Sequence, residues 1–227
     1  MSAIKIITTS DGSHSLLNTA LNETYHSIHG AIQESQHVFI QAGLDHWLRR
    51  NHKNEIRIFE VGFGTGLNAF LTLLHSSLSE TKIYYESWEA FPLGMSTIRQ
   101  LNYPLVLGSS ALYSKIHESS WDDPVRITPT FSLNKRKGDI LLDPFNEPAS
   151  FDLVYYDAFA PMKQPAVWDV AILKKVADLL APGGVWVTYC ARGQVKRDLK
   201  SLTLTIETLP GPPGKNEMVR ATKGGFL

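Results

Sequence analysis

Apolar residues recur along this chain with two periods, and the alternation between them predicts its elements. The runs Ile56-Arg-Ile-Phe-Glu60, Lys82-Ile-Tyr-Tyr-Glu-Ser-Trp-Glu89, Phe151-Asp-Leu-Val-Tyr-Tyr-Asp157 and Val185-Trp-Val-Thr-Tyr-Cys190 read as strands. Between them lie stretches of helical spacing. Leu67, Phe70, Leu71 and Leu74 fall at i, i+3, i+4, i+7, and Trp168, Ile172, Leu173, Val176, Leu179 and Leu180 share one face up to Pro182-Gly-Gly. Two last strands, over 202–209 and 217–222, are joined by Pro210-Gly-Pro-Pro-Gly-Lys215. That loop is too short for a crossover helix, so the pair is expected to be antiparallel. The pattern predicts an α/β fold: a Rossmann-like doubly wound sheet with a terminal antiparallel hairpin.

The N-terminal stretch reads differently. Residues 4–17 suggest a hairpin turning at Asp11-Gly12, then a polar segment with anchors at Val38, Phe39 and Ile40, then a helix through Leu44, Trp47 and Leu48. Residues 1–50 are expected to pack as an extension on a core domain spanning 51–227. The section after Phe91-Pro-Leu, with Trp121, Pro124 and Pro129, shows no clear period.

The chemistry begins at the first core strand. It ends in Glu60 and runs into Gly62-Phe-Gly-Thr-Gly66 before the helix at Leu67. Strand, acid, glycine loop and helix is how α/β proteins build a site for a nucleotide-sized ligand. Leu67 stands where a dinucleotide fingerprint has its third glycine, and no Lys-Ser/Thr pair follows, so neither a dinucleotide loop nor a P-loop is indicated. A carboxylate at 60 would repel pyrophosphate but suits an ammonium or a sulfonium. S-adenosylmethionine carries both and no phosphate. Glu89, 23 residues after Gly66, ends the next strand, where an acid can accept both ribose hydroxyls. Asp139, after Gly138, can accept from an adenine amino group or simply close a turn. Glu60, Glu89, Asp139 and Asp157 all fall where the C-terminal edge of the sheet is expected.

Composition narrows the class. The 227 residues are 43% hydrophobic, enough for one buried α/β core with small additions. A lone Cys190 excludes a disulfide framework and a cysteine-based zinc site, and no metal site is expected. No apolar run reaches membrane-spanning length and no signal peptide opens the chain, so a cytoplasmic location without membrane partners is expected. The net charge is zero, yet from Pro161 onward ten Lys/Arg face five Asp/Glu. Arg192, Lys196, Arg197, Lys200, Lys215, Arg220 and Lys223 could hold phosphates if clustered, or be ordinary solvated side chains.

Three segments together carry a resemblance: Phe59-Glu-Val-Gly-Phe-Gly-Thr-Gly-Leu-Asn68, Asp157-Ala-Phe-Ala-Pro161 and Lys215-Asn-Glu-Met218. With Tyr25-His-Ser, Gly30-Ala and Glu34-Ser-Gln-His-Val-Phe-Ile40, they resemble the MnmC-like methyltransferase family over nearly the whole chain. The resemblance implies a class I S-adenosylmethionine-dependent fold and N-methylation of the aminomethyl group of 5-aminomethyl-(2-thio)uridine at the tRNA wobble position. It implies cofactor contacts at Glu60, Gly62, Phe63, Gly64, Thr65, Gly66, Asn68, Glu89, Asp139 and Asp157, with Asp157 also catalytic. Tyr25, His26, Glu34, Phe159 and Lys215 are the expected substrate contacts. Trp168 is the weaker pocket candidate, better read as core, and His37 is better read as structural. Lys215 and the stretch from Arg192 to Lys200 are expected on the tRNA backbone.

The chain ends soon after its last strand. A standalone form lacking the family's flavin-dependent oxidase half is therefore expected, with separate enzymes supplying the aminomethyl group. Other readings are a small-molecule amine methyltransferase or aminopropyltransferase on the same fold, a nicotinamide-dependent oxidoreductase, or a non-catalytic tRNA-binding module.

Overall fold

The computed structural model describes residues 4–77, 80–145 and 149–224. The chain opens with a three-stranded antiparallel sheet: β1 (Ile4–Thr8) and β2 (His14–Asn18), paired Ile4 to Asn18, and the short β3 (Glu23–Thr24) on β2. The Asp11-Gly12 hairpin is therefore borne out. Asp11 closes it by accepting from the Thr9 and Ser13 hydroxyls and the Ser13 amide.

One continuous helical rod follows, made of α1 (Ala31–Ser35), a π-helical stretch (Gln36–Asp45) and α2 (His46–Arg50). It starts some residues before the periodicity suggests. Val38, Phe39, Ile40, Leu44 and Trp47 are buried in the same core as Leu153, Tyr155 and Val187 of the main sheet. The N-terminal segment thus contributes to the core and is anchored by it.

The main sheet has eight strands. β4 (Glu55–Val61), α3 (Leu67–Ser76) and β5 (Lys82–Glu89) form the first unit. Then come the short helices α4 (Met95–Ile98) and α5 (Tyr103–Leu107), followed by α6 (Ser110–Glu118), β6 (Pro124–Thr128) and β7 (Phe131–Lys137). These are the elements that the aperiodic middle section conceals. Next are β8 (Phe151–Tyr156), a 3₁₀ turn (Pro165–Trp168), α7 (Val170–Leu179) and β9 (Leu180–Thr188). α8 (Gly193–Ser201) leads into the antiparallel pair β10 (Leu204–Pro210) and β11 (Glu217–Lys223), as the short connection requires.

The strand order is β10-β11-β9-β8-β4-β5-β7-β6. β7, β5, β4, β8 and β9 run parallel, while β6, β11 and β10 supply antiparallel edges. The expected stop at Pro182-Gly-Gly needs a correction: α7 already ends at Leu179 and β9 begins at Leu180. The proline and glycines are taken into the strand where its register against β8 shifts, an irregularity that accommodates a missing amide donor.

Both faces of the sheet are covered. α3, α6 and the π-helical rod pack on one side, with Phe70, Ile116 and Leu44 among the buried residues. α7 and α8 pack on the other, with Leu173, Val176, Leu199 and Trp186. Every residue of β8 is buried, as its continuous apolar run predicts. Chain direction across the sheet reverses between β4 and β8. In open parallel sheets, that switch point leaves a crevice beyond the carboxyl ends of the strands.

Candidate active site

The crevice is where Gly62-Phe-Gly-Thr-Gly66 leaves β4. The Gly62 amide donates to the Trp88 carbonyl at 2.9 Å, and the Asp157 amide to the Val61 carbonyl at 3.1 Å, so the ends of β4, β5 and β8 are tied together. Gly62 has φ 90, and a Cβ there would lie 2.8 Å from the Asp157 carbonyl oxygen. Any other residue would be strained and would push the ends of β4 and β8 apart. Gly66, φ 71, caps α3, and a Cβ on it would meet the His117 ring at 2.7 Å.

A buried layer braces the loop from behind. The Tyr113 hydroxyl donates to the Thr65 carbonyl at 2.9 Å, and Phe63 lies edge-on to His117 and Trp121. Lys135, 1% exposed, donates to the His117 carbonyl in the last turn of α6 at 2.8 Å and lies 4.8 Å from the centre of the Trp121 ring. A helix C-terminus and an aromatic face both favour a cation, which is how this lysine is accommodated inside. Burial still lowers its pKa to about 8. Tyr113, His117 and Lys135 are not singled out in the sequence, because α6 and β7 lie in its aperiodic section.

In front of the loop lies a cavity of about 870 Å³. Of the expected residues, Tyr25, His26, Glu34, Gly62, Phe63, Gly64, Thr65, Asn68, Glu89, Asp139, Asp157, Phe159 and Lys215 line it. Glu89 accepts from the Gly64 amide and the Phe91 amide, both at 2.9 Å, which orients its carboxylate at the tip of β5. Asp139 accepts from the Leu141 amide at 2.9 Å, so it closes a turn and faces the cavity at once.

Glu60 and Gly66 do not line the cavity. Glu60 is 1% exposed and lies beneath the loop, accepting from Ser87 Oγ at 2.6 Å and Asn68 Nδ2 at 3.0 Å. Its side chain alternates off the strand toward the core rather than out of the strand end. Asn68 Nδ2 also donates to Asp157 Oδ2 at 2.7 Å, so one amide bridges two carboxyl groups. Burial is the main cause that raises Glu60 to about 8 and Asp157 to about 7. Glu34 raises Asp157 further, while Asn68 and Lys215 oppose the shift. Asn68 Oδ1 is buried and makes no hydrogen bond.

The N-terminal segment forms one wall. His26 Nε2 meets Thr65 Oγ1 at 2.9 Å, and burial lowers this histidine to about 4, so it is neutral. Tyr25 packs edge-on to Phe159 with centroids 5.0 Å apart. Lys163 donates to the Leu21 and Asn22 carbonyls, tying the loop after Asp157 to the same wall.

Lys215, expected as a substrate contact, lines the cavity. It pairs with Glu34, itself buried, and stacks 3.7 Å from the centre of the Tyr189 ring. Other members of the basic excess are also engaged: Lys196 with Glu217, Arg220 with Glu207, and Lys223 with carbonyls at the end of α7. Arg192, Arg197 and Lys200 remain exposed to solvent.

Trp168 is core, as the better reading has it. It is buried, donates to the Phe159 carbonyl and packs on Tyr156. His37 is structural, bonded to the Pro210 carbonyl at 2.8 Å. Tyr189, Trp88 and Phe91 line the cavity without having been singled out. Trp88 and Phe91 flank Glu89, and Tyr189 directly follows β9 at the same edge, which is the signal that could have found them.

The class follows from this arrangement. A mostly parallel sheet with a terminal antiparallel pair, a glycine loop at its switch point and acids at successive strand ends is the class I S-adenosylmethionine-dependent methyltransferase fold. Residues 130–224 match the family described as S-adenosyl-L-methionine-dependent methyltransferase.

Within that class the chain is similar to the MnmC proteins, and the resemblance seen in the motifs is borne out. The tRNA 5-methylaminomethyl-2-thiouridine biosynthesis bifunctional protein MnmC of Burkholderia thailandensis is 30% identical over 213 residues, 87% of this chain and 32% of that protein. The corresponding protein of Idiomarina loihiensis is 27% identical over 217 residues, 89% of this chain and 36% of that protein. The crystal structure of MNMC2 from Aquifex aeolicus superposes with a TM-score of 0.81 at 25% identity, covering 100% of this chain and 72% of that one. The chain spans about a third of the length of the curated relatives it matches. No helix among the described residues is long and apolar enough to cross a membrane.

Proposed function

We propose that this chain transfers a methyl group from S-adenosylmethionine to the primary amine of a 5-aminomethyl-(2-thio)uridine in the wobble position of tRNA. The observation that carries the reading is the charge of the cavity. Glu23, Glu34, Glu89, Asp139 and Asp157 line it, with Lys215 as the opposing cation and Glu60 just beneath. Such a wall disfavours a pyrophosphate and favours cations, which both the cofactor and an amine substrate carry.

The residues fit the cofactor. Asn68 Oδ1 is a buried acceptor without a partner, set between Glu60 and Asp157, and suits an ammonium donor. Glu89 is held to accept from ribose hydroxyls, Asp139 faces the adenine end, and the loop backbone is bare enough for close approach. When bound, S-adenosylmethionine supplies an electrophilic methyl group on a sulfonium. Glu89→Ala is expected to weaken cofactor binding by roughly tenfold or more, because charge-assisted hydrogen bonds are lost. Calorimetry checks it, and an unchanged affinity removes Glu89 from the ribose site.

The chain's own task is to present the amine with its lone pair free. An alkyl ammonium has a lysine-like pKa of roughly 10, so a proton must leave. Asp157 orients the amine and accepts that proton. An ordinary aspartate would be too weak a base for this; one raised to about 7 is better matched to neutral pH. Tyr25 and Phe159 offer aromatic faces to the base, which a single-stranded loop can splay into the cavity at low cost.

The experiment is incubation with labelled S-adenosylmethionine and bulk tRNA from cells lacking this modification step, followed by mass spectrometry of the nucleosides. Label in a 5-methylaminomethyl nucleoside is expected. Label confined to small amines would favour the small-molecule reading, and no cofactor binding would leave a fold without this chemistry.

A further inference from the structure

The cavity mouth carries a feature that catalysis does not use. Ile28, Phe91, Leu141, Leu142 and Met162 are 55%, 77%, 37%, 81% and 73% exposed, and they account for five of the eight large apolar side chains exposed among the described residues. Ile28, Phe91 and Leu141 line the cavity, Leu142 follows Leu141, and Met162 lies between Ala160 and Gln164, which also line it. Four separate stretches of chain, each lining the cavity or directly next to residues that line it, therefore carry exposed apolar side chains. Exposed apolar side chains scattered singly need no explanation, but a patch around a binding site marks a surface that something covers.

We propose that this rim is a docking surface for the nucleobases that flank the target in a single-stranded RNA loop. The inference rests on the functional reading above. A cavity of about 870 Å³ has room for a cofactor and one nucleoside, so the rest of an RNA substrate must lie outside. The acidic lining repels phosphates from the opening, whereas base faces carry no net charge and gain from apolar and aromatic contact. Phosphates have a place farther out. Arg192, exposed at the start of α8, follows three residues after cavity-lining Tyr189, and Arg197 and Lys200 on the same helix are exposed as well. The arrangement is an anionic centre, a neutral apolar ring and a cationic outer face.

The test compares wild type with the double variant Leu142→Ser, Met162→Ser, neither of which lines the cavity. Three quantities are measured: KM for an aminomethylated anticodon stem-loop, kcat/KM for the free 5-aminomethyl nucleoside, and cofactor affinity by calorimetry. The stem-loop KM is expected to rise roughly tenfold, with the other two within about twofold of wild type. An unchanged stem-loop KM overturns the proposal, as does an equal loss on the free nucleoside, which would make the rim part of the cavity's shape.

Anisotropy of a fluorescent single-stranded oligoribonucleotide separates this idea from the functional one. Wild-type binding that the double variant loses supports the rim even if no methylation is seen. Unchanged RNA binding together with loss of self-association in sedimentation would give the patch to a second copy of the chain and overturn the proposal.

Discussion

Replacing Asp157 by Asn is expected to lower kcat by about 10²- to 10⁴-fold, the usual contribution of a positioned acid–base group, with cofactor affinity nearly retained. The exchange preserves shape. The asparagine would still offer a carbonyl oxygen to Asn68 Nδ2, which now bonds Asp157 Oδ2 at 2.7 Å, and the backbone bond from residue 157 to the Val61 carbonyl is untouched. What disappears is the ability to take a proton. The pH profile carries the same signature. Asp157 accepts a proton only when ionised, and its carboxyl sits at about 7, so wild-type kcat should climb as pH rises through 7. The variant's residual rate should show no inflection near 7 and should rise only with the free-amine fraction, toward the amine's own pKa of roughly 10. Single-turnover rates at several pH values check both points, and near-normal turnover in the variant would sink the assignment of Asp157 as proton acceptor.

Glu60, Glu89 and Asp157 are legible because each stands at the end of a strand whose apolar run is plain, and parallel sheets bring such ends to one edge; Asp139 follows β7, which the aperiodic section conceals. Their different tasks are not. Glu60 and Glu89 look alike in sequence, one before a glycine loop and one before Ala90. In the fold, Glu60 turns inward to Ser87 and Asn68, while Glu89 turns outward and is held by amides of residues 64 and 91. Side-chain direction at a strand end depends on pleat and register, which a one-residue shift inverts. The Lys215–Glu34 pair was hidden for another reason: its members are 181 residues apart, and a lysine in an exposed proline- and glycine-rich loop reads as solvated. Lys135 gives no signal either, since it sits in the basic run Lys135-Arg-Lys137 of the aperiodic section. Pleating alternates the three, and Lys135 points into the core beneath α6.

Replacing Glu60 by Gln is expected to stabilise the protein at alkaline pH while weakening its hold on the cofactor. Glu60 rises from an ordinary 4.5 to about 8 on folding, chiefly through burial. Between those values the native state keeps a proton that the unfolded chain has released. Its contribution is therefore fully present below 4.5 and is lost as pH rises through about 8, at up to ~1.4 kcal/mol per pH unit for one proton. The glutamine can keep both hydrogen bonds, to Ser87 and Asn68, at every pH. The stability difference between variant and wild type should thus grow from about pH 4.5 to about pH 8 and then level.

Taking that difference matters because other groups act on wild-type stability in the same range. Asp157, raised to about 7, acts in the same direction as Glu60. His26 and His117, lowered to about 4 and about 3, oppose it: their contribution is full above the ordinary 6.5 and is lost as pH falls through those values. The two effects offset each other near pH 5–6, so wild-type stability alone would look flat there, while subtraction isolates position 60. Cofactor affinity should move the other way. A bound cation favours the ionised carboxylate, so wild-type affinity tightens as pH rises toward 8, and the neutral glutamine cannot follow. Denaturant titrations and calorimetry on both proteins across pH 5–9 decide the matter. Parallel stability curves would mean that Glu60 is ionised in the free protein, and parallel affinity curves that its charge does not reach the ligand.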